Sequence, residues 1–320
     1  MRAARLVAPR QWEIVEVEDP RPGPEQMLVR LERVAACGSD RPDYFGLGAA
    51  YPLPPGAPGH EGLGIVESCP SGAYAPGERV LLWGFDRGLF QERVLAPTRG
   101  CLRLPVDLAP EVSLMSQVLG TIIHAFYKLG NVIGQRAVVV GQGPVGLLLD
   151  AVLRNLGANP IVACEPLTHR REAGRCMGAT HVLDPQTQDP VEAVAQLTGG
   201  HMADLVVEAV GVARTLNLGA SLLRRGGTLL AFGVPNKEGG DGTLPLRFME
   251  MFRREVRVIT SVGPDPAADY AVALAWIVQG RVDVRPVVSH VLPFERIQDA
   301  FRMAFEEPGK HRAHKVVLGF

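Results

Sequence analysis

Ala137-Val-Val-Val140 runs straight into Gly141-Gln-Gly-Pro-Val-Gly146 and then into Leu147-Leu-Leu-Asp-Ala-Val-Leu-Arg-Asn-Leu156, closed by Gly157. A β-branched apolar run reads as a buried strand, and the leucine-rich stretch with its terminal glycine reads as a helix. Between them sit three spaced glycines, with Pro144 and Val145 opening the helix. The next apolar run, Ile161-Val-Ala-Cys164, ends on an acid, Glu165. Strand, glycine turn, helix, strand and acid in that order form the fingerprint of a dinucleotide site. Gly141 permits the tight turn, Gly143 lets the backbone approach a pyrophosphate, and Gly146 lets the helix close on the strand. The N–H groups and partial positive charge of the helix N-terminus suit the phosphates.

Working outward, the segment from 118 to 259 alternates strands and helices. The expected strands are Ala137–Val140, Ile161–Cys164, His181–Leu183, Leu205–Glu208, Thr228–Phe232 and Val256–Thr260. Such alternation implies a parallel sheet with crossover helices. Residues 1–117 read differently. Gly and Pro are dense at Pro20–Pro24 and Pro52–Gly59, and short apolar runs such as Met27–Leu31, Gly64–Glu67 and Arg79–Trp83 lie between them. This is the grammar of a β-rich domain. Residues 260–320 return to helix, strand and helix, ending on Lys315-Val-Val-Leu318. The fold class is therefore α/β, with a doubly wound domain (118–259) inserted into a β-rich domain (1–117 and 260–320).

The chain has 320 residues, 47% of them hydrophobic, and a formal net charge of −1. Charge this close to neutral argues against a nucleic-acid surface or a polybasic membrane patch. No apolar run is long enough to span a bilayer, and the first residues lack a signal-peptide core. The five cysteines are scattered without a CxxC pair, which points to a reduced, cytoplasmic protein rather than a disulfide scaffold.

Several ordered motifs then come together: Ala36-Cys-Gly-Ser-Asp40, Pro58-Gly-His-Glu-Gly62, Gly77-Glu-Arg-Val80, the glycine turn, Val207-Glu-Ala-Val-Gly211 and Arg225-Gly-Gly-Thr-Leu229. With these the chain resembles the medium-chain dehydrogenase/reductase superfamily, and within it the zinc-dependent alcohol and polyol dehydrogenases. The resemblance covers nearly the whole chain and implies a GroES-like catalytic domain around a Rossmann domain. It implies Cys37 and His60 as ligands of a catalytic zinc, Ser39 as the hydroxyl that relays the alcohol proton, and Asp40 as the carboxylate that orients the histidine. The chemistry is coherent, since zinc takes thiolate and imidazole ligands and keeps a position open for a substrate oxygen.

The chain departs from the family pattern at three places. The third zinc ligand falls at Gln117, a neutral amide, with Glu61 as the other candidate. The lobe that holds a structural zinc is missing between Trp83 and Gly88, so no structural zinc is expected. The second relay histidine is replaced by Pro42. The catalytic zinc and its third ligand therefore stay open.

For the cofactor, Glu165 should accept bonds from the adenosine ribose and repel a 2′-phosphate, and Arg170 sits where relatives place a basic residue near the ribose. NAD is preferred over NADP. The resemblance also carries Val210, Phe232 and Val234 onto the adenine and nicotinamide sides and Lys315 onto the pyrophosphate. Tyr44, Phe45, Leu47, Trp83 and Phe85 are expected to form an apolar, aromatic substrate lining suited to a neutral alcohol, polyol or ketone. Three readings remain: a zinc-assisted NAD-dependent alcohol dehydrogenase, a zinc-free ketone or enone reductase using NAD(P)H, and a non-catalytic nucleotide-binding homologue. A homo-oligomer pairing through Val256–Thr260 is expected by resemblance.

Overall fold

The computed structural model describes residues 1–82, 88–235 and 241–320. Trp83 and Phe85 lie outside them. The chain forms two compact units. One comprises Met1–Gly120, Asp265–Ile277 and Val288–Phe320, and the other Thr121–Pro264 and Val278–Val287. The sequence pattern implies a single return to the first domain at 260, whereas the second unit runs to Pro264 and also takes Val278–Val287.

The first unit opens with an antiparallel hairpin of β1 (Arg2–Ala8) and β2 (Gln11–Glu16). There follow β3 (Gln26–Ala35), the short helix α1 (Arg41–Phe45), β4 (Gly62–Ser68), β5 (Arg79–Leu82), β6 (Arg93–Pro97) and β7 (Leu102–Leu104). Helix α2 (Pro110–Phe126) then runs across the division between the units.

The second unit alternates as its sequence implies: β8 (Ala137–Val140), α3 (Pro144–Asn155), β9 (Ile161–Cys164), α4 (Thr168–Met177), β10 (His181–Leu183), α5 (Pro190–Leu197), β11 (Ala203–Glu208), α6 (Ala213–Leu222), β12 (Leu223–Ala231), α7 (Phe248–Arg253) and β13 (Arg257–Thr260). After it come α8 (Ala271–Val278), β14 (Val288–Pro293), α9 (Ile297–Phe301) and β15 (Lys315–Gly319).

The six strands of the second unit lie in the order β10-β9-β8-β11-β12-β13, and every pairing is parallel. α3 packs on α4, while α6 packs on α5 and α7, as the two helical layers of a doubly wound sheet do. β8, β9 and β11 are buried along nearly their whole length, which is why they read as unbroken apolar runs rather than alternating ones. Strand order reverses between β8 and its neighbours, so the glycine turn that follows β8 stands at the switch point where ligands of such sheets bind. Among the described residues, no helix is long and apolar enough to cross a membrane.

In the first unit the larger sheet runs β14-β15-β3-β4-β5-β7, with β6 also paired to β3. Its core is closed by an aromatic cluster. Trp12 lies 5.6 Å from Phe90 and 4.8 Å from Phe301, and Phe90 lies 5.4 Å from Phe301, centroid to centroid. Each such pair contributes about 0.5–1.5 kcal/mol beyond its burial.

Two glycines of the turn are fixed by steric need. Gly141 has a φ of +94°, which side chains rarely tolerate. A Cβ on Gly146 would overlap the carbonyl oxygen of Gly141. Gly143 faces open space, with nothing within 4 Å of a Cβ. Gly146→Ala is therefore expected to destabilise the protein by about 1–3 kcal/mol, read as a lower Tm in calorimetry, and Gly143→Ala to cost clearly less.

Candidate functional site

The first unit brings its chemistry to one end of three adjacent strands. β3 and β4 are antiparallel with Val34 opposite Gly62, and β15 is antiparallel to β3 with Val317 opposite Ala35. The residues just past β3 and just before β4 therefore meet, and the start of β15 lies beside them. The backbone ties the junction: Ala35 N–H donates to the Glu61 carbonyl and Ala36 N–H to the Val316 carbonyl. That register brings Cys37, His60, Glu61 and Lys315 together, although up to 278 residues separate them in sequence.

Cys37 Sγ, a ring nitrogen of His60 and a carboxylate oxygen of Glu61 all lie within 4.8 Å of one another. Ser39 Oγ is 3.2 Å from Cys37 Sγ and 3.0 Å from His60 Nε2. The other face of the imidazole is held by Asp40, whose Oδ1 lies 3.2 Å from Nδ1, with the Pro58 carbonyl 3.3 Å away. Asp40 is fully buried, and its second oxygen accepts the Cys37 N–H at 2.9 Å. Burial works against a charge on His60, but Asp40 and Cys37 outweigh it and push its pKa up to about 12. The imidazole is thus oriented with Nδ1 on a carboxylate and Nε2 toward the thiol, as a metal-binding histidine requires. Thiolate, imidazole and carboxylate are all donors that zinc accepts, and three such ligands leave a position open. The residues present fit the metal.

Lys315, expected by resemblance on the pyrophosphate, has a partner that its sequence neighbourhood does not show. Its ammonium pairs with Glu61 in the first unit, and both side chains are 3% exposed. Burial opposes its charge, yet Glu61, Cys37 and Asp40 raise its pKa. Gln117 lies on α2, and its amide nitrogen donates to the Tyr270 hydroxyl at 3.4 Å. Pro42 is buried at the start of α1.

The expected substrate lining is only partly on view. Tyr44 is fully buried in the aromatic core, Leu47 is exposed, and the Phe45 ring carries two guanidiniums, Arg10 at 4.8 Å and Arg41 at 4.7 Å. The surroundings of Phe45 are thus more cationic than an apolar lining implies.

In the second unit, Glu165 follows β9, is 4% exposed, and turns its carboxylate onto the glycine turn. It accepts the Gln142 N–H at 2.8 Å and the Leu167 N–H at 3.0 Å. Arg170 is half-buried on α4, where burial lowers its pKa and Glu165 partly offsets that. Arg171 donates to the carbonyls of Glu165 and Pro166 and pairs with Asp184 at 3.0 Å.

Val210 follows β11, while Phe232 and Val234 follow β12. The two segments touch closely, since a Cβ on Gly211 or Gly233 would overlap the opposing backbone. Sequence reasoning missed the residue that shapes this loop. Glu208 is fully buried and accepts from Val210 N–H, Gly211 N–H and Thr215 Oγ1 at 2.7–2.9 Å. A charged residue closing a buried apolar strand was the available signal.

Comparison with known proteins bears on the family of the chain. The zinc-binding dehydrogenase family matches residues 144–279, and the alcohol dehydrogenase GroES-like domain matches residues 23–106. An L-threonine 3-dehydrogenase of Thermococcus kodakarensis is 25% identical over 91% of each chain. The alcohol dehydrogenase of Thermus sp. ATN1 superposes with a TM-score of 0.88 and 27% identity over the whole of both chains. A zinc-binding dehydrogenase of Sinorhizobium meliloti 1021, bound to NADP, superposes with a TM-score of 0.86 and 26% identity over 100% of this chain and 99% of that one.

The chain belongs to the zinc-binding, medium-chain dehydrogenase family.

In this dehydrogenase the Lys315–Glu61 pair is the costly element, because two charges leave water for a buried site. Removing one partner strands the other. Lys315→Met is expected to destabilise the dehydrogenase by about 3–5 kcal/mol, measured by urea unfolding in the presence of a chelator. An unchanged midpoint would mean that Glu61 is compensated elsewhere.

Proposed function

We propose that this enzyme moves hydride between a secondary alcohol or polyol and the matching ketone, using a nicotinamide cofactor with NAD preferred over NADP. The observation that carries the reading is the convergence of Cys37, His60 and Glu61 in a chain whose other unit sets Glu165 against a glycine turn at the switch point. Zinc held by those three donors would supply a Lewis acid for the substrate oxygen.

The remaining roles fall to the chain itself. Asp40 fixes the His60 ring. Ser39, beside both Cys37 and His60, is the hydroxyl that takes the alcohol proton, and Pro42 cannot pass it on, so the proton leaves through water or a cofactor hydroxyl. Gly143, Val145 and Gly146 offer backbone N–H groups to the pyrophosphate, while Pro144, which has no N–H, opens α3 and Gly141, whose N–H donates to the Cys164 carbonyl at 2.9 Å, shapes the turn.

Glu165 supports NAD: its carboxylate keeps lone pairs for ribose hydroxyls and would repel a 2′-phosphate. Arg171, committed to Asp184 and two carbonyls, offers such a phosphate little. Val210, Phe232 and Val234 complete the cofactor side. The edge strand β13 has one unpaired side among the described residues, and Val258 on it is 48% exposed. Pairing with a second copy there is part of the proposal.

Gln117 favours a second reading, a zinc-free ketone or enone reductase, because its amide is engaged by Tyr270 and is a poor metal donor.

Metal analysis and kinetics decide between the two. The purified enzyme is expected to hold zinc, to lose alcohol oxidation on chelation, and to lose both metal and turnover in Cys37→Ala. Enone reduction that survives chelation would establish the second reading. Ser39→Ala is expected to lower kcat by about 10²–10³-fold, the usual worth of a positioned proton carrier, with zinc content unchanged. Steady-state kinetics should give a higher kcat/KM with NAD than with NADP, and Glu165→Ser should narrow the ratio. An enzyme at least as efficient with NADP would overturn the preference.

A further inference from the structure

The glycine turn contains a polar residue whose side chain points away from solvent. Gln142 is fully buried, and so is Asp150, two turns into α3. The Gln142 amide lies in a slot between two glycines. A Cβ on Gly146 would sit 3.4 Å from its Nε2, and a Cβ on Gly174 of α4 would sit 2.9 Å from its Oε1. The same position on Gly174 is 3.4 Å from Asp150 Oδ2, so amide and carboxyl share one space in the α3–α4 interface. Gly146 and Asp150 lie four residues apart, on one face of α3. All four polar atoms are buried without a hydrogen-bond partner among the described residues.

We propose that Asp150 is a neutral carboxylic acid clasped to the Gln142 amide, and that this clasp positions the turn on which the dinucleotide pyrophosphate rests. A carboxylic acid and a primary amide match each other fully. The acid O–H donates to the amide oxygen while the amide N–H donates to the acid carbonyl. The pair satisfies in one stroke four atoms that would otherwise be buried without partners, and buried polar groups are rarely left so. An ionised carboxylate would leave the amide oxygen facing a second acceptor and would place a charge in a site where no cation acts on it. Burial accordingly pushes the Asp150 pKa well above the usual carboxylate range, with the Gln142 amide partly opposing it.

The functional consequence follows from where Gln142 sits. Its own backbone N–H holds Glu165 at 2.8 Å, and its neighbours Gly141 and Gly143 form the phosphate turn. Fixing its side chain in the α3–α4 interface fixes the peptide groups on both sides. Asp150 is then a positioning residue, acting on the cofactor through Gln142 and touching no substrate. This role rests on the dinucleotide reading of the turn, whereas the protonation state does not.

The test uses the full-length enzyme, NADH and NADPH fluorescence titrations, and infrared difference spectra. Asp150→Asn keeps two hydrogen bonds in an amide–amide pair and is expected to bind NADH within about twofold of wild type. Asp150→Leu removes both and is expected to raise the NADH Kd about tenfold, the worth of one to two lost hydrogen bonds. Its kcat at saturating cofactor should stay near wild type. Gln142→Met combined with Asp150→Leu should be no worse than either alone.

The wild-type minus Asp150→Asn infrared spectrum should contain the C=O stretch of a protonated acid. A carboxylate band there, an unchanged Kd in Asp150→Leu, or additive effects in the double variant would overturn the clasp. If Asp150→Leu fails to fold, Gln142→Met supplies the binding comparison. Wild-type protein that binds neither NADH nor NADPH would overturn the dinucleotide reading and the positioning role together, leaving the infrared band to decide the acid.

Discussion

A buried ammonium against a buried carboxylate is the constraint on which the candidate metal site of this enzyme depends. Lys315 and Glu61 are both withdrawn from water, and each opens or precedes a strand packed next to β3. Neither charge is tolerable there alone. The pair therefore ties the start of β15, the start of β4 and the end of β3 into one junction, and Cys37 leaves that junction with its backbone already bonded to Asp40. The positions of Cys37 and His60 are consequences of strand register and charge pairing before any metal is considered.

The second unit solves a different problem with similar means. A turn that must present bare backbone N–H groups cannot be held by side chains on its open face. It is held from behind. Glu165 takes one N–H from the turn, Glu208 takes two from the neighbouring loop along with a hydroxyl, and Gln142 anchors between α3 and α4. Three buried polar side chains thus stabilise two loops whose outer surfaces stay open. Buried polar groups carry a desolvation cost, and such costs are met most often where a site must keep its shape without a ligand.

What the sequence made legible follows from whether the signal was local. The six strands of the second unit were readable because Ala137–Val140 and Ile161–Cys164 are short β-branched runs bounded by glycine or acid. The glycine turn was readable because its steric needs lie within six residues. Cys37 and His60 were readable only through motif resemblance, since a lone cysteine and a lone loop histidine specify nothing. Lys315 shows where local reading fails. Nothing near it in sequence reveals Glu61, which lies across β3, so the buried ion pair was not legible. Arg171 was hidden similarly, because Asp184 reaches it from the end of β10.

Gln117 looks like a defect when ligands are counted and less like one when charges are. Suppose the donors take a divalent cation as proposed. Cys37 as thiolate and Glu61 as carboxylate then balance it, and His60 binds as a neutral imidazole. The charges of Asp40 and Lys315, both buried around this set, cancel each other. The assembly is neutral without an acid at position 117. A glutamate there would add a negative charge to this balance, while Lys315 is already committed to Glu61. A neutral amide on the Tyr270 hydroxyl therefore suits the proposed ligand set, in which Glu61 would take the third place and Lys315 balances its charge in the absence of metal.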